Sequence, residues 1–423
     1  MHENQCEFKE KLLIINNNVL SDTSNNGKTV LSYIDCLPKG NIAQLYFNGA
    51  KPSISGYNYF QISDKDILKG LLNPNMRGRA YSSTVSLTKS DVVSSRKIPR
   101  NIWTILIREL LWWKSWKSSN LLKWLDDFSP TSIFFVAGDS LFAYAICWYI
   151  AKKYGCAVSV YVTDDYIVER KNETFLEKLF RKKIKKEMLK ILSISKNFFT
   201  ISEIMREKYL EELNHDSHII VNMTESLKSE EKYDNDESII KLVYAGNLYY
   251  GRDLVISKLS DSIELYNNTH QKKCKLYIYS NKVLTDEEKA MMIKGEGTCF
   301  GGNLNKLELQ IVLNQADFLV FVESFDEIYI EKTRYSLSTK VTEYLSLAKP
   351  IIAIGPKGIG SIEYLKDVSL HIDNLDEIYE KLLFLIESKS LQIELAKSAE
   401  EKYISKHNKS MLQEEFISLL FGD

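Results

Sequence analysis

The stretch SIFFVAGDSLFAYAICWYIAKKYGCAVSVYVTDDY, residues 132–166, decides the fold. Its first residues form an apolar run that is typical of a buried strand and that ends at Gly138. A long apolar segment with the length of a helix follows, and Gly155 is a helix stop signal. AVSVYV is the next strand. Strand, helix and strand within about thirty residues predict a βαβ unit, and such units build parallel sheets.

The same alternation recurs on both sides of this unit. Before it, KLLII at residues 11–15 predicts a strand that leads into a polar loop and a helix; after it, FFTISEIMREKYLEEL and HIIVN repeat the pattern. Further along the chain, IIKLVYAG, KLYIYS, QADFLVFVES and KPIIAIG predict four more buried strands separated by helical segments. Helices are expected to close the chain at 375–391 and 410–420.

A polar and acidic stretch, SLKSEEKYDNDE at 226–237, interrupts the alternation and is interpreted as a linker. A length of 423 residues suits two α/β domains of about 200 residues each. We therefore predict an α/β protein of two Rossmann-like domains, 1–228 and 238–405, with a helix at 406–423 that packs back toward the N-terminal domain. In such sheets ligands bind outside the carboxyl ends of the strands.

Composition narrows the class of protein. The 55 Lys and Arg nearly cancel the 56 Asp and Glu, so overall charge indicates no nucleic-acid partner. The six cysteines are scattered without metal-site or disulfide spacing, which favours a reducing compartment. No apolar run has the length of a signal peptide core or a membrane span. We expect a soluble, cytoplasmic protein.

Candidate ligand-binding residues follow the strands of the second half. In KLVYAGNLYYGRDL, a strand ends at Gly246 and Arg252 begins the next helix, a combination that favours a phosphate, although a plain turn with a surface arginine remains the alternative. Gly301 lies before an amphipathic helix. The stretch 323–334 is predicted to be a long loop, where functional residues are common.

The strongest pattern is YSLSTKVTEYLSLAKPIIAIG. Ser338 or Thr339 is placed to cap a helix that carries Lys340 in its first turn and Glu343 one turn later. A lysine at this end of a helix opposes the helix dipole, and a bound anion would explain its position. Taken alone, Glu343 is equally a solvated helix residue.

The order of these motifs resembles family 4 glycosyltransferases and related enzymes of the GT-B fold, over most of the chain and best at 241–367. The resemblance implies two domains facing each other across a cleft, a nucleotide-sugar donor of UDP or GDP type, a glycan or lipid-linked acceptor, transfer with retention, and no cofactor or bound metal. The bacterial members suggest surface polysaccharide or glycoconjugate synthesis.

The resemblance also implies roles for individual residues. Arg252 stands where the family usually has a lysine that contacts the donor diphosphate, and Glu343 matches the glutamate that binds the ribose. Two positions depart from the pattern. Asn247 replaces an arginine, and Tyr335 replaces the glutamate that lies near the transferred sugar.

Acceptor-side candidates lie in the first half. The loop SDTSNNGKT lacks the first glycine of a phosphate-binding P-loop, so we assign Asn26, Gly27 and Lys28 to the acceptor side, with a ligand-free turn as the alternative. The Asp164 and Asp165 pair ends a strand and is our candidate for the catalytic carboxylate, or else a helix cap. Asp139 is interpreted as an acceptor contact or as the cap of the helix that follows it.

Two basic segments suggest a peripheral contact with an anionic membrane at its inner face. ELLWWKSWKSSNLLKWL interleaves tryptophans with lysines, and LEKLFRKKIKKEMLK is strongly basic. Helices that pack their apolar faces on the core would give the same patterns. Two other functions remain open on this fold: a nucleotide-sugar epimerase or phosphorylase, and a non-catalytic partner subunit of another transferase.

Overall fold

The structure is a computed structural model that describes residues 9–22, 25–81, 101–229 and 238–422. The chain divides into two compact units. Unit 1 comprises residues 1–220 with 413–423, and unit 2 comprises 221–412. The division falls ahead of the predicted linker, of which residues 230–237 lie outside the described part.

Unit 1 is an eight-stranded sheet with helices packed on it. Its strands are β1 (Leu12–Asn16), β2 (Ile42–Tyr46), β3 (Asn58–Gln61), β4 (Arg79–Tyr81), β5 (Ser132–Ala137), β6 (Ala157–Val162), β7 (Ser195–Thr200) and β8 (His218–Ile219). Its helices are α1 (Asn25–Ile34), α2 (Asp64–Leu72), α3 (Ile102–Trp112), α4 (Ser119–Phe128), α5 (Leu141–Tyr154), α6 (Phe175–Leu192) and α7 (Glu203–Leu213).

The unit 1 sheet has the strand order β4-β3-β2-β1-β5-β6-β7-β8. All of its pairs are parallel except β3 with β4. The direction of winding reverses between β1 and β5, where Leu12 pairs with Ser132. Both strands are buried along their whole length because helices cover the sheet faces. Ligands of doubly wound sheets bind at such a reversal.

Unit 2 repeats the architecture. Its strands are β9 (Ile239–Ala245), β10 (Lys273–Tyr279), β11 (Thr298–Gly302), β12 (Phe318–Val322), β13 (Ile351–Ile354) and β14 (Leu370–Ile372). Its helices are α8 (Arg252–Thr269), α9 (Asp286–Met292), α10 (Lys306–Gln315), α11 (Glu327–Thr333), α12 (Thr339–Leu345), α13 (Gly360–Leu365), α14 (Ile378–Glu387) and α15 (Lys389–Lys406).

The unit 2 sheet is parallel throughout, with the order β11-β10-β9-β12-β13-β14. Winding reverses between β9 and β12, where Leu242 pairs with Phe318. Its core is formed by the apolar faces of the strands together with α8 and α14, including Leu276, Ile256 and Leu382. Phe416 of the last helix, α16 (Lys409–Phe421), belongs to unit 1, where its ring centroid lies 4.8 Å from that of Tyr33 and 5.2 Å from that of Phe134.

The prediction of two Rossmann-like domains is confirmed, and two local expectations are corrected. The loop expected at 323–334 contains α11, because Asp326 caps a helical turn there. Gly301 precedes a helix, α10, as predicted, and belongs to the end of β11. The strand expected in HIIVN is limited to β8.

The two basic segments pack differently. Trp112 and Trp116 are buried, whereas Trp103 and Trp113 are each 63% exposed. In α6 the apolar side chains of Phe180, Ile184 and Met188 are buried, which agrees with the core-packing interpretation. Among the described residues, no helix has the length and hydropathy needed to cross a membrane.

Candidate functional site

An ion pair occupies the winding reversal of unit 2. Arg252 begins α8, directly after the loop that follows β9, and Glu323 follows β12. One terminal guanidinium nitrogen of Arg252 donates to both carboxylate oxygens of Glu323, at 2.9 Å each. The other donates to Oδ1 of Asn247 at 2.7 Å. The ends of the two strands are therefore joined through one arginine.

The ion pair between Arg252 and Glu323 is buried. The side chains of Arg252 and Glu323 are only 13% and 3% exposed. Burial raises the pKa of the Glu323 carboxyl, and the charge of Arg252 opposes that rise. Breaking a buried pair leaves an uncompensated charge, so the arginine is fixed in place by its partners.

The loop before α8 has a constrained backbone. Tyr250 and Gly251 both have positive φ, +62° and +72°. A Cβ atom on Gly251 would lie 2.6 Å from Oγ of Ser324, so only glycine fits there. The ring of Tyr250 packs against Tyr329 of α11, with centroids 5.9 Å apart. Strained non-glycine residues concentrate at functional sites, and this one adjoins the ion pair.

The second cationic group of the site lies on α12. Ser338 caps this helix by accepting a hydrogen bond from the backbone N–H of Lys340, and Thr339 is its first residue. Lys340 Nζ donates to Oε2 of Glu343 at 2.8 Å, and Glu343 is 9% exposed. The hydroxyl of Tyr344 accepts from the backbone N–H of Ala245 at 3.0 Å, which ties α12 to the end of β9.

These contacts bring most of the predicted donor residues to one place. Gly246 and Asn247 form the turn after β9, and the turn is tied back by the hydroxyl of Tyr244, which donates to the carbonyl of Asn247. Gly301 is the exception. It is the penultimate residue of β11, at the edge of the sheet and two strands, roughly 10 Å, from β9. There a Cβ atom would collide with the ring of Tyr279.

Behind α12 lies a buried histidine that sequence reasoning missed. His407 is fully buried; its Nδ1 lies 2.7 Å from the carbonyl of Asn222 and 3.2 Å from Oγ1 of Thr342 on α12. Its Nε2 is 2.9 Å from the hydroxyl of Tyr364. Because a carbonyl only accepts, Nδ1 carries the proton, and Nε2 accepts from the tyrosine. Burial lowers the pKa of His407 to about 4, against the effect of the hydrogen bond to the Asn222 carbonyl, and the charge of Lys402 also lowers it.

The winding reversal of unit 1 contains unpaired polar atoms. Asn16 ends β1 and is 1% exposed, and Asn17 follows it. Among the described residues, neither Nδ2 of Asn16 nor Oδ1 of Asn17 has a hydrogen-bond partner, although both atoms are buried. A Cβ atom on Gly138, at the end of β5, would lie 2.7 Å from Nδ2 of Asn17. One orphan donor and one orphan acceptor thus lie at the switch point, where ligands of doubly wound sheets bind.

The predicted acceptor loop begins α1 beside this point; its residues 23 and 24 lie outside the described part. Asn26 Nδ2 donates to Oγ1 of Thr163 at 2.9 Å, which joins α1 to the end of β6. A Cβ atom on Gly27 would lie 2.2 Å from the carbonyl oxygen of Val19, so the close backbone approach requires glycine. Lys28 is half-buried in the first turn of α1.

The two adjacent aspartates have different environments. Asp164 is exposed, within 3.5 Å of Oγ1 of Thr163. Asp165 is buried, and its Oδ1 accepts from the backbone N–H of Ile167 at 3.1 Å and from the hydroxyl of Tyr209. Two guanidinium groups lie near its other oxygen, that of Arg181 at 3.5 Å and that of Arg170 at 3.8 Å. Asp165 therefore organises the loop, and Asp164 is the carboxylate open to a substrate.

Of the two roles open to Asp139, acceptor contact or cap of α5, the capping role is filled by a residue from another helix. The carboxylate of Glu109, on α3, accepts from the backbone N–H groups of Leu141 at 3.0 Å and Phe142 at 3.1 Å. Burial raises the pKa of Glu109 to about 7, against the effect of those hydrogen bonds. The only sequence signal for this contact is the single acidic residue of a largely apolar helix.

Among the described residues, no group of three His, Cys, Asp or Glu side chains is placed to hold a metal ion. No protein-family model matches the sequence, and no curated protein matches it either.

Comparison with solved structures defines the class of fold. The chain has the GT-B fold of glycosyltransferases, and the matches extend over nearly its whole length. One similar structure is a UDP-forming α,α-trehalose-phosphate synthase from Burkholderia xenovorans, in complex with glucose-6-phosphate. It has 10% identity and a TM-score of 0.63, covering 97% of this chain and 100% of that one.

Two further structures resemble the chain to a similar degree. Anabaena Alr3699/HepE in complex with UDP has 9% identity and a TM-score of 0.62, with 97% of this chain and 99% of that chain covered. A glycosyltransferase from Rickettsia africae has 11% identity and a TM-score of 0.60, with 98% and 100% covered. At these identities the likeness establishes the fold.

Proposed function

We propose that this protein is a glycosyltransferase that moves a sugar from a UDP- or GDP-type nucleotide donor to a glycan or lipid-linked glycan acceptor. We further propose that transfer occurs with retention, at the cytoplasmic side of a bacterial membrane, in surface polysaccharide or glycoconjugate synthesis. Structures of the same fold were solved with UDP, UDP-glucose or a sugar phosphate, which supports this choice of substrates.

The observation that carries the proposal is the cluster at the winding reversal of unit 2. Arg252 and Lys340 are two cations held near the ends of β9 and β12 by Glu323 and Glu343. Arg252 also begins α8, an 18-residue helix whose N-terminus favours an anion. A diphosphate can interact with both the two cations and the α8 N-terminus. We assign the nearby carboxylate of Glu343 to bind the ribose hydroxyls.

The residues also suggest how transfer is assisted. Negative charge grows on the diphosphate as its bond to the sugar breaks, and positioned cations stabilise that charge. Arg252 is suited to this because its partners fix it before the substrate binds. We propose that these side chains and the α8 N-terminus supply the stabilisation, without a resident metal ion or other cofactor.

The acceptor side is assigned to unit 1. The orphan atoms of Asn16 and Asn17, together with Asn26, Lys28 and Asp139, suit a ligand rich in hydroxyl groups. Asp164 is the exposed carboxylate at the same edge of the sheet. We assign it to orient the acceptor hydroxyl or to accept its proton.

Release of the nucleoside diphosphate tests the proposal. The purified protein is incubated with UDP- and GDP-sugars, with and without EDTA, and free UDP or GDP is measured. We expect release from one class of donor, unaffected by EDTA. Interconversion of the sugar without release would indicate an epimerase instead.

A second candidate is a non-catalytic partner subunit of another glycosyltransferase. It is favoured by the engagement of both terminal nitrogens of Arg252, and by Tyr335 at the position where the resemblance expects a glutamate. Such a subunit is expected to release no diphosphate from any donor and to gain no thermal stability from UDP or GDP.

A further inference from the structure

Two neighbouring helices of unit 1 carry an unusual number of exposed apolar side chains. We call this surface the α2–α3 face. It is defined by Leu68, Leu71, Leu72, Trp103, Ile107, Leu110 and Trp113, which are between 51% and 94% exposed. Single exposed apolar residues are ordinary, but a large contiguous group marks an interaction site.

The exposed side of α3 is distinct from the side that packs on the protein. Trp103, Ile107 and Leu110 recur at the spacing of one helical face. The opposite side holds α3 to α2, because Arg108 and Trp112 both donate to Oδ1 of Asp64, at 2.8 and 2.7 Å. The exposed apolar side chains of α3 therefore lie on the side of the helix that does not pack on α2.

The charges around this face are positive. The acidic residues of the two helices are already engaged: Asp64 with Arg108, Asp66 with Arg79, and Glu109 with the start of α5. Among the described residues, no carboxylate lies within ion-pair distance of three exposed lysines that adjoin the apolar side chains, Lys65, Lys69 and Lys114. Tryptophan and leucine beside lysine are the composition of surfaces that lie in a membrane interface.

We propose that the α2–α3 face docks on an anionic lipid surface. The apolar side chains enter the boundary between headgroups and acyl chains, and the lysines contact the anionic headgroups. A second copy of the chain fits less well, because a two-fold contact through this face would oppose lysine to lysine. The helix α6 is a poorer docking element, because Phe180, Ile184 and Met188 are buried and its strongly exposed apolar side chains, Phe175 and Leu179, are confined to its first two turns.

The face adjoins the acceptor side of the sheet. Arg108 donates to Oγ of Ser140, after β5, at 3.1 Å and to the carbonyl of Phe47, after β2, at 3.5 Å. The helix α3 therefore lies at the carboxyl edge that also carries Asp139 and Asp164. The purpose of docking rests on the proposed function, since it would bring a lipid-linked acceptor to this edge; docking itself is measured without any donor.

Co-sedimentation with vesicles tests the inference. The protein is mixed with vesicles of phosphatidylcholine alone and with vesicles that also contain phosphatidylglycerol. We expect binding to the anionic vesicles that weakens as salt is raised. The combined variant Trp103→Ser, Leu110→Ser and Trp113→Ser should lower the partition coefficient at least about tenfold. The combined variant Lys65→Glu, Lys69→Glu and Lys114→Glu should remove the preference for anionic lipid.

The matched control is Phe175→Ser, which removes a side chain that is 73% exposed at the start of α6. It should bind vesicles as the unchanged protein does. Equal binding to both vesicle types, no binding to either, or an equal loss in the control would overturn the inference. So would dimerisation of the unchanged protein that the serine variant abolishes. Thermal stabilisation by UDP or GDP is measured on every variant, so failed docking with intact nucleotide binding leaves the proposed function standing.

Discussion

Arg252 and Glu323 lie 71 positions apart in the chain, yet one guanidinium nitrogen lies 2.9 Å from both carboxylate oxygens. Glu323 directly follows β12, and Arg252 follows β9 after a short loop. These are the two central strands of the unit 2 sheet. The pair therefore marks the winding reversal and holds a cation in place there. The donor site proposed above depends on that cation.

The pair should show strong energetic coupling. Arg252→Ala or Glu323→Ala alone leaves a buried charge without its partner, so each should lower the free energy of unfolding by about 3–5 kcal/mol. The double variant should lose clearly less than the sum of the two. Urea denaturation of all four proteins measures the coupling, and additive losses would mean that the two groups do not interact.

Glycine at position 251 should be required for two separate reasons. Gly251→Ala adds left-handed strain, about 1 kcal/mol, and a collision with Ser324, so it should lower stability further and disturb the loop that leads to Arg252. The control is Gly155→Ala, which has a similar φ of +68° but open space around the added Cβ. Equal losses in the two variants, measured by thermal unfolding, would show that the collision has no effect.

The two aspartates should separate activity from stability. Asp164→Asn should lower kcat/KM about 100-fold if Asp164 takes the proton of the acceptor, and it should leave the unfolding midpoint unchanged because the side chain is exposed. Asp165→Asn should lower the unfolding midpoint, since two arginines and two hydrogen-bond donors lose a buried charge. Reversed results for the two variants would reassign the roles.

Acid should destabilise unit 2 through His407. Its pKa is lowered from 6.5 to about 4 in the folded protein, so the unfolded chain binds the proton more tightly. Neutral His407 therefore contributes about 3 kcal/mol to the free energy of unfolding. This contribution is complete above pH 6.5 and is lost as the pH falls toward 4. The variant His407→Asn should lose this part of the pH dependence between pH 6.5 and 4, measured by urea denaturation. Parallel pH profiles for the two proteins would contradict this assignment.

The strands of both sheets could largely be predicted because most are local apolar runs that end in glycine or polar residues. The strands β2, β3, β4, β11 and β14 were not predicted; Gln44 breaks the apolar pattern of β2, and polar Asn58 and Gln61 begin and end β3. Both glutamines are buried because distant backbone groups bond them: the amide of Gln44 accepts from the N–H of Leu20, and Gln61 donates to the carbonyls of Asn48 and Ala50. No local pattern in the sequence reports such partners.

The same limit applies to the candidate site. Lys340 and Glu343 are one turn apart on a helix, so their contact could be expected from spacing alone. The partners of Arg252 and the orphan atoms of Asn16 and Asn17 depend on which strands become neighbours. Likewise, no local feature distinguished the structural Asp165 from the exposed Asp164.

Calorimetry with a nucleoside diphosphate tests the central claim, that unit 2 holds a nucleotide-sugar donor at the ends of β9 and β12. The unchanged protein should bind UDP or GDP, and Glu343→Ala should weaken binding about tenfold, because one charge-assisted contact is worth about 1.5–3 kcal/mol. The control Glu394→Ala, at an exposed position on α15, should bind as the unchanged protein does. No binding of either nucleotide, or equal affinity in the Glu343 and Glu394 variants, would contradict the claim.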